Sequence, residues 1–136
     1  MTFVLDASVT MSWCFKDESS DSAVLALDRL QAESAIVPAS WPLEIANSLL
    51  TAERRGRISE EELTRLVRFV QQLPIVVDST DGRLELGALV TLARSRSLSA
   101  YDASYVHLAV TKGLPVATVD NRLKAACEQL GVELLR

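Results

Sequence analysis

The chain has 136 residues, 49% of them hydrophobic, and 14 Lys and Arg against 18 Asp and Glu give a formal charge of −4. That length suits a single domain, residues 1–136, with its own core, and the few scattered Gly and Pro mark no linker, repeat or low-complexity tract. The negative total argues against the broad electropositive surface that drives non-specific nucleic-acid binding, while leaving room for a local basic rim.

The chain opens on MTFVLDAS, without a basic segment followed by a long apolar one. Neither a signal peptide nor a membrane span is expected, and the cytoplasm is the default compartment. Phe3-Val4-Leu5 predicts a first strand, followed by helical patterns near 8–15 and 20–33. Cys14, in the first of these, and Cys127 belong to no CxxC or Cys/His cluster, so reduced thiols are expected and a zinc site is not. Ala35-Ile36-Val37 reads as the next strand, with helices near 42–56 and 59–73 after it. Ile75-Val76-Val77 predicts a third strand, ahead of helices near 81–96 and 99–113. Val116 to Val119 predicts a fourth, then a helix over 121–130 and a last apolar run at Val132 to Leu135. Short, nearly continuous apolar strands separated by helix-length crossovers imply a parallel sheet covered on both sides, a three-layer α/β/α sandwich. Ligands of such sheets bind beyond the carboxyl ends of the strands, so polar residues directly after strands carry the interest.

Two acids occupy such places. Asp6 follows Phe3-Val4-Leu5 and Asp120 follows Val116 to Val119. Helix capping explains either one alone, although Ser8 and Asn121 are alternative caps. Asp78 has the same look after the third strand, but Ser79, Thr80 and Asp81 beside it favour a helix start. Glu44 stands in the first turn of SWPLEIANSLLTAERRGR, just after Pro42, on a stripe with Asn47, Ser48 and Thr51. That stripe is either a solvated face with an acid near the helix N-terminus or the wall of a polar site.

Asp102 is the odd residue of LSAYDASYVHLAV. At about 100° per residue, Tyr101, Tyr105, Val106, Leu108, Ala109 and Val110 gather around it, while Ser104, His107 and Thr111 take the other side. Ser99 as N-cap with an acid three residues later explains the helix start but not the apolar company. A carboxylate on a buried face has to be protonated, paired or bound to a cation. If Asp6, Glu44, Asp102 and Asp120 converge on one edge of the sheet, their mutual repulsion calls for a cation. Oxygen ligands without His or Cys suit Mg²⁺ or Mn²⁺, and such ions serve phosphoryl chemistry.

FVLDAS at 3–8, VPASWPLEIANSLL at 37–50, LSAYDASYVHLAV at 98–110 and VATVDNRL at 116–123, with LGVELL near the end, resemble the PIN-domain ribonucleases of the VapC toxin type. The resemblance spans essentially the whole chain. It implies a five-stranded parallel sheet and a metal-binding quartet of Asp6, Glu44, Asp102 and Asp120. Ser8 and Thr118 support the quartet by hydrogen bonds in this reading, and Asn47 stands near it. Asp6 and Asp102 would bind the principal ion, with Glu44 and Asp120 completing its shell through water or holding a second ion. The resemblance further implies Mg²⁺- or Mn²⁺-dependent RNA cleavage, a cognate antitoxin that covers the site, and a homodimer. His107 is expected in solvent. Arg54, Arg55 and Arg57 read either as a solvated helix end or as contacts to RNA phosphates or antitoxin acids. Trp13, Trp41, Tyr101 and Tyr105 are expected in the core or a dimer contact. Two alternatives stand beside this reading. A receiver-like signalling domain would want paired acids after the first strand, where this chain has one, and a PIN-like module without catalysis would not need its acids intact.

Overall fold

Four short apolar runs form parallel strands in the computed structural model, which describes residues 2–79 and 85–136. They are β1 (Thr2–Leu5), β2 (Ser34–Val37), β3 (Ile75–Val77) and β4 (Val116–Ala117), ordered β3-β2-β1-β4. Thr2 to Val4 align with Ser34 to Ile36, Ala35 to Val37 with Ile75 to Val77, and Val4 and Leu5 with Val116 and Ala117. Successive side chains of a strand point to opposite faces. Phe3, Val4 and Leu5 are all fully buried, so both faces of the central strand are covered and the sheet is the middle of three layers.

The five-stranded expectation needs correction to four. Val132 to Leu135 meets the sheet at only one bridge, Val116 to Leu134, although Val116 N donates to Glu133 O and Leu135 N to Val116 O, both at 2.9 Å. β4 is two residues long, so the final run finds no longer ladder to join.

The helices are α1 (Ala7–Cys14), α2 (Asp21–Arg29), α3 (Trp41–Arg54), α4 (Glu60–Gln71), α5 (Leu86–Arg96), α6 (Ala100–Lys112) and α7 (Asn121–Leu130). α1 packs with α2 and α3, while α6 packs with α5, α7, β1 and β4. A 3-10 turn at Lys16–Glu18 was not foreseen. The first residues of the helix expected at 81–96, and Thr80 and Asp81 of the crowded start after Asp78, lie outside the described residues. No helix among the described residues is long and apolar enough to cross a membrane.

The fit of α6 to its wheel is partial. Ala103, Tyr105, Val106, Leu108 and Ala109 are buried, yet Tyr101 and Val110 are each 60% exposed. Tyr101 lies near the start of the helix and Val110 near its end. His107, expected in solvent, is half-buried with Nε2 3.8 Å from Glu85. Of the two indoles, Trp41 is in the core, and Trp13 donates from Nε1 to Ala23 O at 2.6 Å.

α4 shows local chemistry setting an element's boundary. Glu62 N donates to Ser59 Oγ at 3.1 Å and Ser59 N donates to Glu62 Oε1 at 3.2 Å, a reciprocal capping box. Ser59→Ala is expected to cost about 1 kcal/mol of stability, read as a lower urea midpoint with an unchanged slope. A midpoint equal to wild type would mean that α4 does not depend on this cap.

The topology also indicates a candidate site. From β1 the chain moves outward to β2 and β3, then returns to place β4 on the other side of β1. The connections diverge between β1 and β4, and the carboxyl ends of those two strands flank the crevice where doubly wound sheets bind ligands.

Candidate active site

Asp6 leaves the end of β1 and occupies the N-cap position of α1, but its side chain makes no capping bond. Instead Oδ2 accepts from Ser8 Oγ at 2.6 Å and from Thr118 Oγ1 at 2.7 Å. Each hydroxyl also accepts a backbone amide: Val119 N donates to Ser8 at 3.2 Å and Asp120 N to Thr118 at 3.0 Å. The ends of β1 and β4 are thereby laced together through one carboxylate oxygen, while Oδ1 takes neither hydroxyl. Asp6 is 4% exposed. Burial raises its pKa, the Ser8 and Thr118 bonds oppose the rise, and the charges of Asp102 and Asp120 add to it.

Asp120 is the N-cap of α7, its Oδ1 accepting Arg122 N at 2.8 Å and Leu123 N at 3.2 Å. Capping therefore does account for one oxygen of Asp120, and Asn121 is the first residue of the helix rather than its cap. Asp102 lies in the first turn of α6, where its backbone N donates to Ser99 Oγ at 3.0 Å. Its half-buried carboxyl is raised by burial and then by Asp120, and lowered by Ser99 and by the Arg122 charge.

Glu44 sits in the first turn of α3, half-buried, and Oε1 accepts the Tyr105 hydroxyl at 2.9 Å. Burial raises its pKa most, Tyr105 lowers it, and the charges of Asp6 and Asp102 raise it again. Of the two readings of the Glu44 stripe, the wall of a polar site fits this environment. Asn47, the nearby position expected from the resemblance, is exposed.

The four acids come from four elements distant in sequence and influence one another electrostatically. Among the described residues no three Asp, Glu, His or Cys side chains are gathered closely enough to hold an ion without moving. The donor chemistry nevertheless fits a hard divalent cation. All the donors are carboxylate oxygens, and three of the carboxyls are made costly to ionise by burial and by each other, which an added positive charge relieves.

Residues 3–129 match the family model of the PIN domain. Ribonuclease VapC3 of Mycobacterium tuberculosis is 31% identical over 125 residues, covering 90% of this chain and 85% of that protein. The chain is a PIN domain of the VapC family. Ribonuclease VapC3 of Pyrobaculum aerophilum is 28% identical over 123 residues, covering 90% of this chain and 92% of its own. Two crystal structures share the fold. PAE2754 from Pyrobaculum aerophilum superposes with a TM-score of 0.67 at 22% identity, over 93% of this chain and 79% of that one. VapC20 of Mycobacterium tuberculosis, described as a sarcin-ricin loop cleaving toxin, gives 0.63 at 17% identity, over 93% and 95%. A receiver-like domain is not what the chain resembles.

Two neighbours of the PIN-domain acids were missed in the sequence. By sequence Tyr105 reads as a core or dimer-contact residue, and its hydroxyl bond to Glu44 spans 61 positions that no local pattern connects. Arg122, two residues after Asp120, is exposed and close enough to moderate Asp102. Its place in the first turn after a strand-end acid was the available signal. The basic cluster, in contrast, is partly engaged elsewhere: Arg57 donates to Asp17 at 3.0 Å and Glu18 at 3.1 Å and lies 4.2 Å from the centre of the Phe15 ring. Arg54 and Arg55 are exposed.

Proposed function

We propose that this PIN domain is a metal-dependent endoribonuclease and the toxin of a toxin–antitoxin pair. The observation that supports the reading is that Asp6, Glu44 and Asp102 are each made harder to ionise by the charge of another carboxylate of the four, while Asp6 and Asp120 follow the ends of the neighbouring strands β1 and β4. The names of the VapC3 relatives support RNA as the substrate.

Asp6 and Asp102 would hold a Mg²⁺ or Mn²⁺ ion, with Glu44 and Asp120 completing its surroundings or holding a second one. When bound, such an ion supplies positive charge to the phosphate oxygens and acidity to the attacking water. Ser8 and Thr118 fix one oxygen of Asp6, so the carboxylate presents the other in a set direction. Asp120, tethered by two α7 amides through Oδ1, is held in the same way. Arg122 is the cation suited to meet an RNA phosphate as it arrives beside Asp102. The protein would work in the cytoplasm as a homodimer restrained by an antitoxin that covers the acids.

Cleavage of a mixed RNA substrate tests the reading. Activity is expected with Mg²⁺ or Mn²⁺, absent with excess chelator, and restored when the ion is returned. Asp102→Asn is expected to lower it by about a hundredfold or more. Undiminished cleavage in chelator, or full activity of the variant, contradicts the mechanism.

A further inference from the structure

Tyr105 is the largest fully buried side chain among the described residues, and it ends in a polar group. It lies three residues after Asp102 on α6, so the two share one side of the helix. Its ring packs among buried residues of the core, which a phenylalanine could do as well. The hydroxyl does something a phenyl ring cannot: it donates to Glu44 Oε1 at 2.9 Å, from α6 across to α3. A glutamate side chain has several rotatable bonds, and leaving it free costs order at any site that needs it in one orientation. A donor fixed to one oxygen removes that freedom and leaves the second oxygen available. Because the donor belongs to the helix that carries Asp102, it also fixes Glu44 relative to that acid.

We propose that Tyr105 is a positioning residue, whose hydroxyl holds Glu44 so that its free oxygen faces the ion or the ion's water shell in register with Asp102. This rests on the reading of the acids as a divalent-cation site. A group that orients a ligand in this way typically accounts for ten- to a hundredfold in metal affinity or activity.

The test compares wild type, Tyr105→Phe, Glu44→Gln and the double variant. Mn²⁺ binding is measured by calorimetry in the absence of RNA, and kcat and KM are measured separately on a defined RNA. Tyr105→Phe is expected to bind Mn²⁺ about tenfold more weakly and to lose about tenfold in kcat, with KM for RNA changed by less than about twofold. In the Glu44→Gln background the same change is expected to have little further effect on Mn²⁺ affinity, because the group it positions is already gone. Thermal melts of all four proteins report packing separately. Wild-type affinity in Tyr105→Phe, or an equal loss of affinity in both backgrounds, overturns the role assigned to Tyr105. A wild-type protein that binds no Mn²⁺ overturns the cation site itself, and this inference with it.

Discussion

Asp6→Asn is expected to abolish RNA cleavage, by about a hundredfold or more, while leaving a metal-free protein at least as stable as wild type at neutral pH. The two halves have one cause. Asp6 is 4% exposed, and its carboxyl is pushed up by burial and by the charges of Asp102 and Asp120. Ionising it costs the folded state more than the unfolded one. Asn keeps an oxygen for the Ser8 and Thr118 hydroxyls but removes the buried charge, so folding gains what binding a cation loses.

The sign extends to pH. Asp6, Glu44 and Asp102 are all raised, each chiefly by burial, with Asp102 and Asp120 facing Asp6, Tyr105 and two aspartates facing Glu44, and Asp120 and Arg122 facing Asp102. A raised carboxyl contributes stability that is fully present below its unfolded pKa, about 4, and is lost as the pH climbs through its folded value. These three groups therefore tilt the stability of the chelator-treated protein downward as pH rises above about 4, and Asp6→Asn flattens the fall. Melting curves with chelator across that range, for both proteins, check it. A variant melting well below wild type at neutral pH would show that the Asp6 charge is compensated by something other than a bound ion.

Leu123→Ala is expected to destabilise the protein by about 3 kcal/mol, within the 2 to 5 typical of buried leucines, and to lower the melting temperature by something on the order of 10 °C. Leu123 is fully buried in the first turn of α7, and its own N–H donates to Asp120 Oδ1 at 3.2 Å. The side chain thus seats the helix whose first amides hold the Asp120 carboxylate. Against a total stability of about 5–15 kcal/mol, the loss is large enough to leave some protein unfolded at physiological temperature. Leu43→Ala on α3, where the leucine is 75% exposed, serves as the comparison and is expected to stay within about 0.5 kcal/mol of wild type. Chemical denaturation of the two variants separates them, and equal midpoints would contradict the burial of Leu123.

The sequence made the layered fold legible because burial writes itself into composition: Phe3-Val4-Leu5 is apolar at consecutive positions, which only a strand covered on both faces requires. The acids after β1 and β4 were legible for a related reason, since strand ends are marked by where the apolar run stops. What the sequence did not carry was pairing at a distance. Val132 to Leu135 has the composition of a strand, and only the shortness of β4 restricts it to a single bridge. Arg57 looked free beside Arg54 and Arg55 until the 3-10 turn brought Asp17 and Glu18 to it across about forty positions. The wheel placed Tyr105 on the correct side of α6 but could not say that Glu44 waited there, nor that Tyr101 and Val110 would be left exposed.

The lacing of Asp6 to Thr118 spans 112 positions, and Asp120 follows two residues later. During synthesis, therefore, the first acid is made long before the residues that complete its surroundings. A nascent chain, or a fragment ending before residue 118, has no hydroxyl or amide from the β4 end with which to orient Asp6. For a ribonuclease of the VapC family, this means that translation passes residue 118 before Asp6 gains the partner that orients it.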